Sequence, residues 1–190
     1  NSELLNRKID SVAYLGIEKK AYPGCQVLIA KDGKIILQKS YGWHTYEKKL
    51  KVQNTDLYDW ASLTKITSAL PAIMKLAAEK KIDVNEPLSS YWPAFRNSNK
   101  ENIKISEFLT HQAGLPAWIP FWMMVADKKG NLKNEFIRVQ PSDSFLVRVS
   151  EKLYLKNDFK QVILDSIRNS KLGEKKYVYS DLSFLIYPEV

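Results

Sequence analysis

The strongest constraint on the fold is an Asp-Gly pair that separates two apolar runs near the start of the chain. The segment CQVLIAKDGKIILQKSYG, residues 25–42, places Asp32-Gly33 between two stretches rich in Val and Ile. Asp-Gly favours a two-residue turn in which both positions have positive φ, and such a turn matches the twist of antiparallel strands. We therefore predict a β-hairpin over residues 25–42. Pro23-Gly24 separates it from an amphipathic helix predicted over residues 3–20.

Beyond the hairpin, the sequence predicts a long and mainly helical stretch. Residues 42–58 are irregular apart from a short strand predicted over residues 55–58. From Leu63 onward, apolar residues recur at helical spacing and form one stripe, which consists of Ile66, Leu70, Ile73 and Ala77. Pro71 lies inside this stripe, where it removes one backbone hydrogen bond, so we expect the helix to bend there.

Four further segments complete the prediction of secondary structure. Residues 82–95 are expected to form a turn-rich surface segment. Ser106 is the predicted N-cap of a short helix that ends at residues 114–116, Gly-Leu-Pro. Residues 142–155 and 157–169 are predicted to form two more helices, and in the second of them apolar residues recur at helical spacing.

Charge and composition argue against several classes of function. The net charge is +8, from 29 Lys and Arg against 21 Asp and Glu, but the lysines are scattered and interleaved with acids. We therefore interpret them as a solvated basic surface and do not expect nucleic-acid binding. The single Cys25 and two distant His residues make no metal-binding constellation. No apolar run approaches the roughly 20 residues of a membrane-spanning helix, and the first residues show no signal-peptide pattern.

One pair of residues has the spacing of a catalytic nucleophile and its activator. In DWASLTKITSAL, residues 59–70, Ser62 and Lys65 lie three positions apart where a helix begins, so both side chains share one face. A lysine so placed can take the serine proton if its pKa is lowered, and the serine N–H at a helix start can stabilise an oxyanion. The same spacing also fits an ordinary helix start with a solvated lysine, so by itself it decides nothing.

Four segments, in order, resemble the serine β-lactamase and penicillin-binding-protein superfamily, in particular its class C β-lactamase, D-alanyl-D-alanine peptidase and esterase branch. They are PGCQVLIAKDGKIILQKSYG at 23–42, YDWASLTKITSALPAIMKLAAEKKIDVNEPLSSYWP at 58–93, ISEFLTHQAGLP at 105–116 and YVYSDLSF at 177–184. The resemblance implies an α+β fold of the β-lactamase/transpeptidase type. Residues 1–61 would supply the N-terminal helix and hairpin of a mixed lobe, and residues 62–190 a mainly helical lobe.

The resemblance also assigns roles to three residues. It makes Ser62 the acylated nucleophile, Lys65 its proton acceptor or electrostatic activator, and Tyr179 a second general acid or base. The division of labour between Lys65 and Tyr179 stays open. His111, in LTHQAGLP, is expected to be a hydrogen-bonded structural residue, because no acidic residue lies nearby in sequence to orient it as in a triad.

Two positions depart from the family pattern. Asp181 stands where these enzymes usually carry Asn, and an ionised Asp can only accept hydrogen bonds. We expect Asp181 to hold Lys65 protonated and to lose the donor that Asn offers to a substrate carbonyl. Trp118 stands where class C β-lactamases have a substrate-binding Gln, and it would either line the cleft or pack in the core. Both changes favour an esterase or peptidase over efficient β-lactam turnover.

The family continues after the Tyr motif with a strand that bears a Lys/His-Thr/Ser-Gly motif, whereas this chain reads LIYPEV after it. We therefore expect a fragment of a longer protein, one incomplete domain that lacks the C-terminal strands. The implied function is a serine hydrolase that forms an acyl-enzyme from an amide or ester, such as a D-alanyl peptide, a β-lactam or a small ester. The alternative is a non-catalytic family member that binds peptidoglycan or a protein.

The same resemblance sets expectations about partners and compartment. It implies a small-molecule or peptide acyl donor, no cofactor, no metal, no nucleic acid and no integral membrane segment. Domains of this kind also occur joined to other enzymes, including glycoside hydrolases that act on cell-wall sugars. Family members usually act outside the bacterial cytoplasm, which predicts a periplasmic or other extracytoplasmic location.

Overall fold

A computed structural model describes residues 2–190. The chain forms two compact units, one that ends at Trp60 and one that spans Ala61–Val190. Helices and strands are mixed in the α+β arrangement that the sequence predicted. Among the described residues, no helix combines the length and the apolar character needed to cross a bilayer.

The first unit consists of one helix and the predicted hairpin. Helix α1 spans Ser2–Glu18, and strands β1, Gly24–Lys31, and β2, Lys34–Gly42, pair in antiparallel fashion. Asp32 and Gly33 have φ values of 51° and 74°, so both turn positions have the positive φ that the Asp-Gly pair predicted. The hairpin prediction is confirmed.

The strand predicted over residues 55–58 is wrong, because Asp56 organises this segment as a turn. Its carboxylate accepts hydrogen bonds from the Gln53 N–H at 2.6 Å and from the His44 ring at 2.8 Å. The Asp56 N–H in turn donates to the Gln53 carbonyl. A side chain that bonds to nearby backbone in this way competes with strand pairing.

The second unit begins with the helix that carries Ser62 and Lys65. A π turn over Lys65–Ala69 runs into helix α2, Leu70–Ala78, and the Leu70 N–H reaches back five residues to the Lys65 carbonyl. Pro71 has no N–H to donate, and its ring crowds the carbonyl four residues before it. The disturbance predicted at Pro71 therefore takes the form of a wider turn just before it.

The core of this unit contains a segment that was predicted to lie on the surface. Residues 82–95 form two 3₁₀ turns, Leu88–Ser90 and Pro93–Phe95, and both Leu88 and Phe95 are completely buried. The prediction of a turn-rich segment is confirmed, but its surface position is wrong for these apolar residues, because the local turn pattern does not reveal which of them meet others from elsewhere in the chain. The buried core cluster consists of Ile82, Leu88, Phe95, Ile103, Ile105, Phe108, Ala113, Leu115, Ile167, Leu182 and Ile186.

The short helix α3, Ile105–Leu109, begins and ends differently from the prediction. Its N-cap is Lys104, not Ser106, because the Glu107 carboxylate accepts the Lys104 N–H at 2.9 Å. It ends before Gly114 because His111 adopts a left-handed conformation with φ 58°. Helix α4, Trp122–Val125, follows within the aromatic segment.

The helix predicted over residues 142–155 is wrong, since the segment forms two strands. Strands β3, Ile137–Arg138, β4, Val147–Ser150, and β5, Leu153–Leu155, make an antiparallel sheet with β5 in the middle. The sequence VRVS in β4 alternates apolar and polar residues with a period of two, which is the strand signal that the helical interpretation overlooked. Helix α5, Phe159–Asn169, confirms the last helical prediction, and α6, Leu182–Ile186, follows the Tyr motif.

Lys100 is a buried cation that fastens the end of helix α5 to the rest of the unit. Its side chain is completely buried, and its ammonium donates to Arg168 O at 2.9 Å, Ser170 O at 2.6 Å and Asn99 Oδ1 at 2.8 Å. An ammonium has three N–H donors, so all three are satisfied. Burial, assisted by the positive charge of Arg168, lowers the pKa of Lys100 to about 8, so it stays mainly charged at pH 7.

We predict that Lys100→Met destabilises the protein by about 2–3 kcal/mol, because three partly buried oxygen acceptors lose the ammonium group and, among the described residues, only Ser170 O keeps another donor, Asn99 Nδ2. Urea unfolding at pH 7 measures the change. Lys128→Met is the matched control, since Lys128 is exposed and should tolerate the same substitution within about 0.5 kcal/mol. Equal midpoints for the two variants would contradict this role of Lys100.

Candidate active site

Ser62 is presented at the start of its helix by an unusual backbone conformation. Ala61, the residue before it, has φ 42°, a left-handed conformation that L-residues other than Gly rarely adopt. The Lys65 N–H donates to the Ser62 carbonyl, which closes the first turn. The side chains then meet as the spacing predicted, and Lys65 Nζ donates to Ser62 Oγ at 3.0 Å.

Lys65 is the centre of the site. Its Nζ lies 2.6 Å from Asp181 Oδ1, 5.3 Å from the ring centroid of Tyr179 and 5.6 Å from that of Phe184. The lysine side chain is only 15% exposed, whereas that of Asp181 is 52% exposed. Four side chains from two distant parts of the sequence therefore converge on one ammonium group.

The electrostatic balance at Lys65 keeps the ammonium charged. Burial alone lowers the pKa of Lys65, but hydrogen bonding and charge interactions with Asp181 and with the Tyr179 hydroxyl outweigh it, so the pKa lies above its ordinary value. The expectation that Asp181 would hold Lys65 protonated agrees with this arrangement. At neutral pH, Lys65 is therefore a donor to Ser62 Oγ.

The LTHQAGLP segment holds the Tyr motif in place. Within it, His111 O and His111 Nδ1 accept hydrogen bonds from the N–H groups of Val178 and Ser180, and the next residue, Ala117, accepts the Asp181 N–H through its carbonyl. The Ser180 hydroxyl donates to Pro116 O at 2.7 Å. His111 is thus the hydrogen-bonded structural residue that the sequence predicted, and the loop sets the position of Tyr179 and Asp181 against Lys65.

A shallow cleft of about 480 Å³ opens beside the ammonium group. Trp118, Ile119, Phe121 and Leu185 form its apolar walls, and Lys65 and Asp181 supply charged groups. Of the two positions considered for Trp118, the structure places it along the cleft, with 58% of its surface exposed. No cluster of three or more His, Cys, Asp or Glu side chains with the geometry to hold a metal ion occurs in residues 2–190.

Sequence reasoning missed the aromatic and aliphatic part of this site. Phe184 packs near Lys65 and His111 and also borders the cleft, while Ile119 and Phe121 extend the wall begun by Trp118. The signal that could have identified Phe184 is its position five residues after Tyr179. Because helix α6 begins between the two residues, this spacing allows the rings of Tyr179 and Phe184 to lie next to the same residue, Lys65.

Comparison with known proteins agrees with the fold. A family model described as Beta-lactamase matches residues 9–187. Protein flp of Staphylococcus aureus (strain MRSA252) is 31% identical over 178 residues, which cover 90% of this chain and 35% of that protein. The N-acetylmuramyl-L-alanine amidase of Bacillus subtilis (strain 168) is 31% identical over 137 residues, or 65% of this chain and 30% of the amidase.

Among solved structures, the fold is similar to that of a β-lactamase/D-alanine carboxypeptidase from Pseudomonas syringae. The TM-score is 0.67 with 17% sequence identity, and the match covers 98% of this chain and 44% of the other. The chain spans about a third of the length of the curated relatives that it matches. The match of the family model to residues 9–187, nearly the whole chain, shows that this protein belongs to the Beta-lactamase family, within the serine β-lactamase and penicillin-binding-protein superfamily.

Proposed function

We propose that the protein containing this chain is a serine hydrolase that forms an acyl-enzyme at Ser62. The observation that carries this proposal is the 3.0 Å contact between Ser62 Oγ and an ammonium group that is anchored by Asp181. An ammonium in contact with the hydroxyl oxygen stabilises the negative charge that develops there as the oxygen attacks a carbonyl carbon. The exposed position of Ser62 lets a substrate reach it.

In the proposed reaction, Ser62 Oγ forms a bond to the acyl carbon, and the bond from that carbon to the leaving nitrogen or oxygen breaks. The hydroxyl proton passes to Tyr179 Oη as the tyrosine gives its own proton to the leaving atom. This relay fits the protonated state of Lys65, which is then an electrostatic activator and not the proton acceptor. Water later attacks the acyl carbon, releases the acid and restores the Ser62 hydroxyl.

The substrate proposed is an amide or ester with an apolar portion near the scissile bond. Trp118, Ile119 and Phe121 offer apolar walls beside Lys65, and such surfaces bind uncharged groups well. An Asn amide at this position could donate a hydrogen bond to a substrate carbonyl, but the Asp181 carboxylate can only accept one. We therefore propose small esters and peptides ahead of β-lactams as acyl donors. Trp118 and Asp181 are the proposed substrate-binding residues.

We also propose an extracytoplasmic location for this activity. The Bacillus subtilis relative is named for an amide between an N-acetylmuramyl group and L-alanine, and a matched solved structure is named as a D-alanine carboxypeptidase. Substrates of that kind would place the protein outside the cytoplasm. Cell fractionation followed by detection of the full-length protein tests this, and a signal confined to the cytoplasmic fraction would contradict it.

We predict that a fluorophosphonate or fluorescent penicillin probe labels the full-length protein covalently and that Ser62→Ala abolishes the label. Gel fluorescence and peptide mapping by mass spectrometry measure it. Ser68→Ala is the matched control, because Ser68 is an exposed serine on the same helix and its removal should leave labelling intact. Absence of any adduct on the wild-type protein would instead favour the non-catalytic binding module.

We predict that Asp181→Asn shifts the alkaline limb of the labelling rate to lower pH. Loss of the carboxylate lowers the pKa of Lys65, so the ammonium that assists Ser62 is lost at a less alkaline pH. The measurement is the labelling rate at Ser62 from pH 7 to pH 11.

Asp158→Asn is the charge-matched control for this shift. Asp158 also pairs with a lysine, Lys156 at 3.0 Å, but on an exposed surface remote in sequence from Ser62. Its profile should coincide with that of the wild type. An alkaline limb that does not move in Asp181→Asn would exclude Lys65 as the protonated activator.

A further inference from the structure

His111 accepts hydrogen bonds from the backbone on both sides of Tyr179. Its main-chain carbonyl accepts the Val178 N–H at 2.9 Å, and its ring atom Nδ1 accepts the Ser180 N–H at 3.1 Å. Since an amide N–H can only donate, Nδ1 must carry a lone pair. The hydrogen bond therefore requires the neutral imidazole with its proton on Nε2.

The imidazole also packs against the rings that surround Lys65. Its centroid lies 4.6 Å from that of Tyr179 and 5.8 Å from that of Phe184, and both of these rings lie within 6 Å of Lys65 Nζ. A movement of the imidazole would therefore disturb the rings next to the activating ammonium group.

The backbone of His111 has a left-handed conformation at the end of a helix. The residue follows helix α3 with φ 58°, and the Gln112 N–H closes the helix end on the Glu107 carbonyl. This is the helix-ending position that Gly usually occupies, because a Cβ is disfavoured there. The contacts of the His111 side chain offset the energetic cost of this backbone conformation.

We propose that His111 is a positioning residue that fixes Tyr179 for proton transfer and makes acylation of Ser62 sensitive to acid. Protonation at Nδ1 would place a donor against the Ser180 N–H donor, break that hydrogen bond and release one side of the Tyr179 segment. The inference rests on the proposed function, because it assigns the consequence of that release to the Tyr179 relay.

Burial of the imidazole favours its neutral form, whereas the charged groups around it act in opposite directions. The groups that face it are Lys65, Asp181 and the hydroxyl-bearing rings of Tyr177 and Tyr179. Burial first, and then the positive charge of Lys65, lower the pKa of His111 below its ordinary value of 6.5, although Asp181 opposes them. The unfolded chain thus binds this proton at a higher pH than the folded protein. The intact hydrogen bond is fully present above about pH 6.5 and is lost as the pH falls through the lower, folded-state pKa.

The test is the rate at which a fluorophosphonate probe phosphonylates Ser62, with loss of fluoride, between pH 4.5 and pH 8 in the full-length protein. We expect the wild type to lose activity at acidic pH. His111→Asn should keep the rate at pH 7.5 within about fivefold, since its amide oxygen can accept the Ser180 N–H and Asn tolerates positive φ. It should also lose the acid limb, because an amide does not titrate in this range.

Two further variants sharpen the result. His111→Phe keeps a ring but offers no acceptor, so we expect the rate to fall about 10- to 100-fold across the whole range. His44→Asn is the matched control, because His44 is an exposed histidine that hydrogen bonds to Asp56, and it should retain the wild-type acid limb. An unchanged acid limb in His111→Asn, or a wild-type rate in a folded His111→Phe, would overturn the proposal.

A readout that does not depend on activity separates this inference from the proposed function. The NMR signal of the Ser180 amide should titrate together with the His111 ring in the wild type and should not titrate in His111→Asn. If the wild type is never acylated at Ser62, the proposed function fails, whereas the Ser180 titration still tests the hydrogen bond itself. If the NMR signal of the Ser180 amide does not change as His111 titrates, His111 has no positioning role.

Discussion

The site depends on one mostly buried ammonium that is shared between a hydroxyl and a carboxylate. Lys65 Nζ contacts Ser62 Oγ on the same helix and Asp181 Oδ1 from a segment more than a hundred residues further along the chain. A mostly buried ammonium needs a partner to remain charged, and the carboxylate supplies it. The same contact therefore stabilises the charge of the site and joins the nucleophile helix to the Tyr motif.

The rest of the second unit serves to bring these two segments together. The LTHQAGLP segment and Ala117, which follows it, accept three backbone N–H hydrogen bonds from the Tyr motif, and the core residues Phe108 and Leu115 pack beneath that loop. Helix α6 begins directly after Asp181 and buries Leu182 and Ile186 in the same core. The geometry at Lys65 is thus a consequence of ordinary apolar packing on both sides of the loop.

Local patterns predicted the parts of this fold that local interactions determine. The Asp-Gly turn needs only its own φ angles, and the Ser62–Lys65 contact needs only helical spacing, so both could be found in the sequence. The errors at residues 55–58, 106 and 142–155 came from local signals that were misread, whereas long-range contacts explain why burial was not predicted. The burial of Leu88 depends on partners outside its own turn, and the three acceptors of Lys100 lie mostly about 70 residues away. The family resemblance, and not the spacing, supplied Tyr179 and Asp181.

Acylation is expected at Ser62 Oγ while Lys65 contacts that atom as an ammonium. The most direct measurement is a crystal structure of the full-length protein after reaction with an organophosphonate that stops at the covalent stage. We expect continuous electron density from Ser62 Oγ to phosphorus, with Lys65 Nζ still within hydrogen-bonding distance of both Ser62 Oγ and Asp181. Density on a different side chain, or an adduct at Ser62 with Lys65 turned away from both partners, would contradict it.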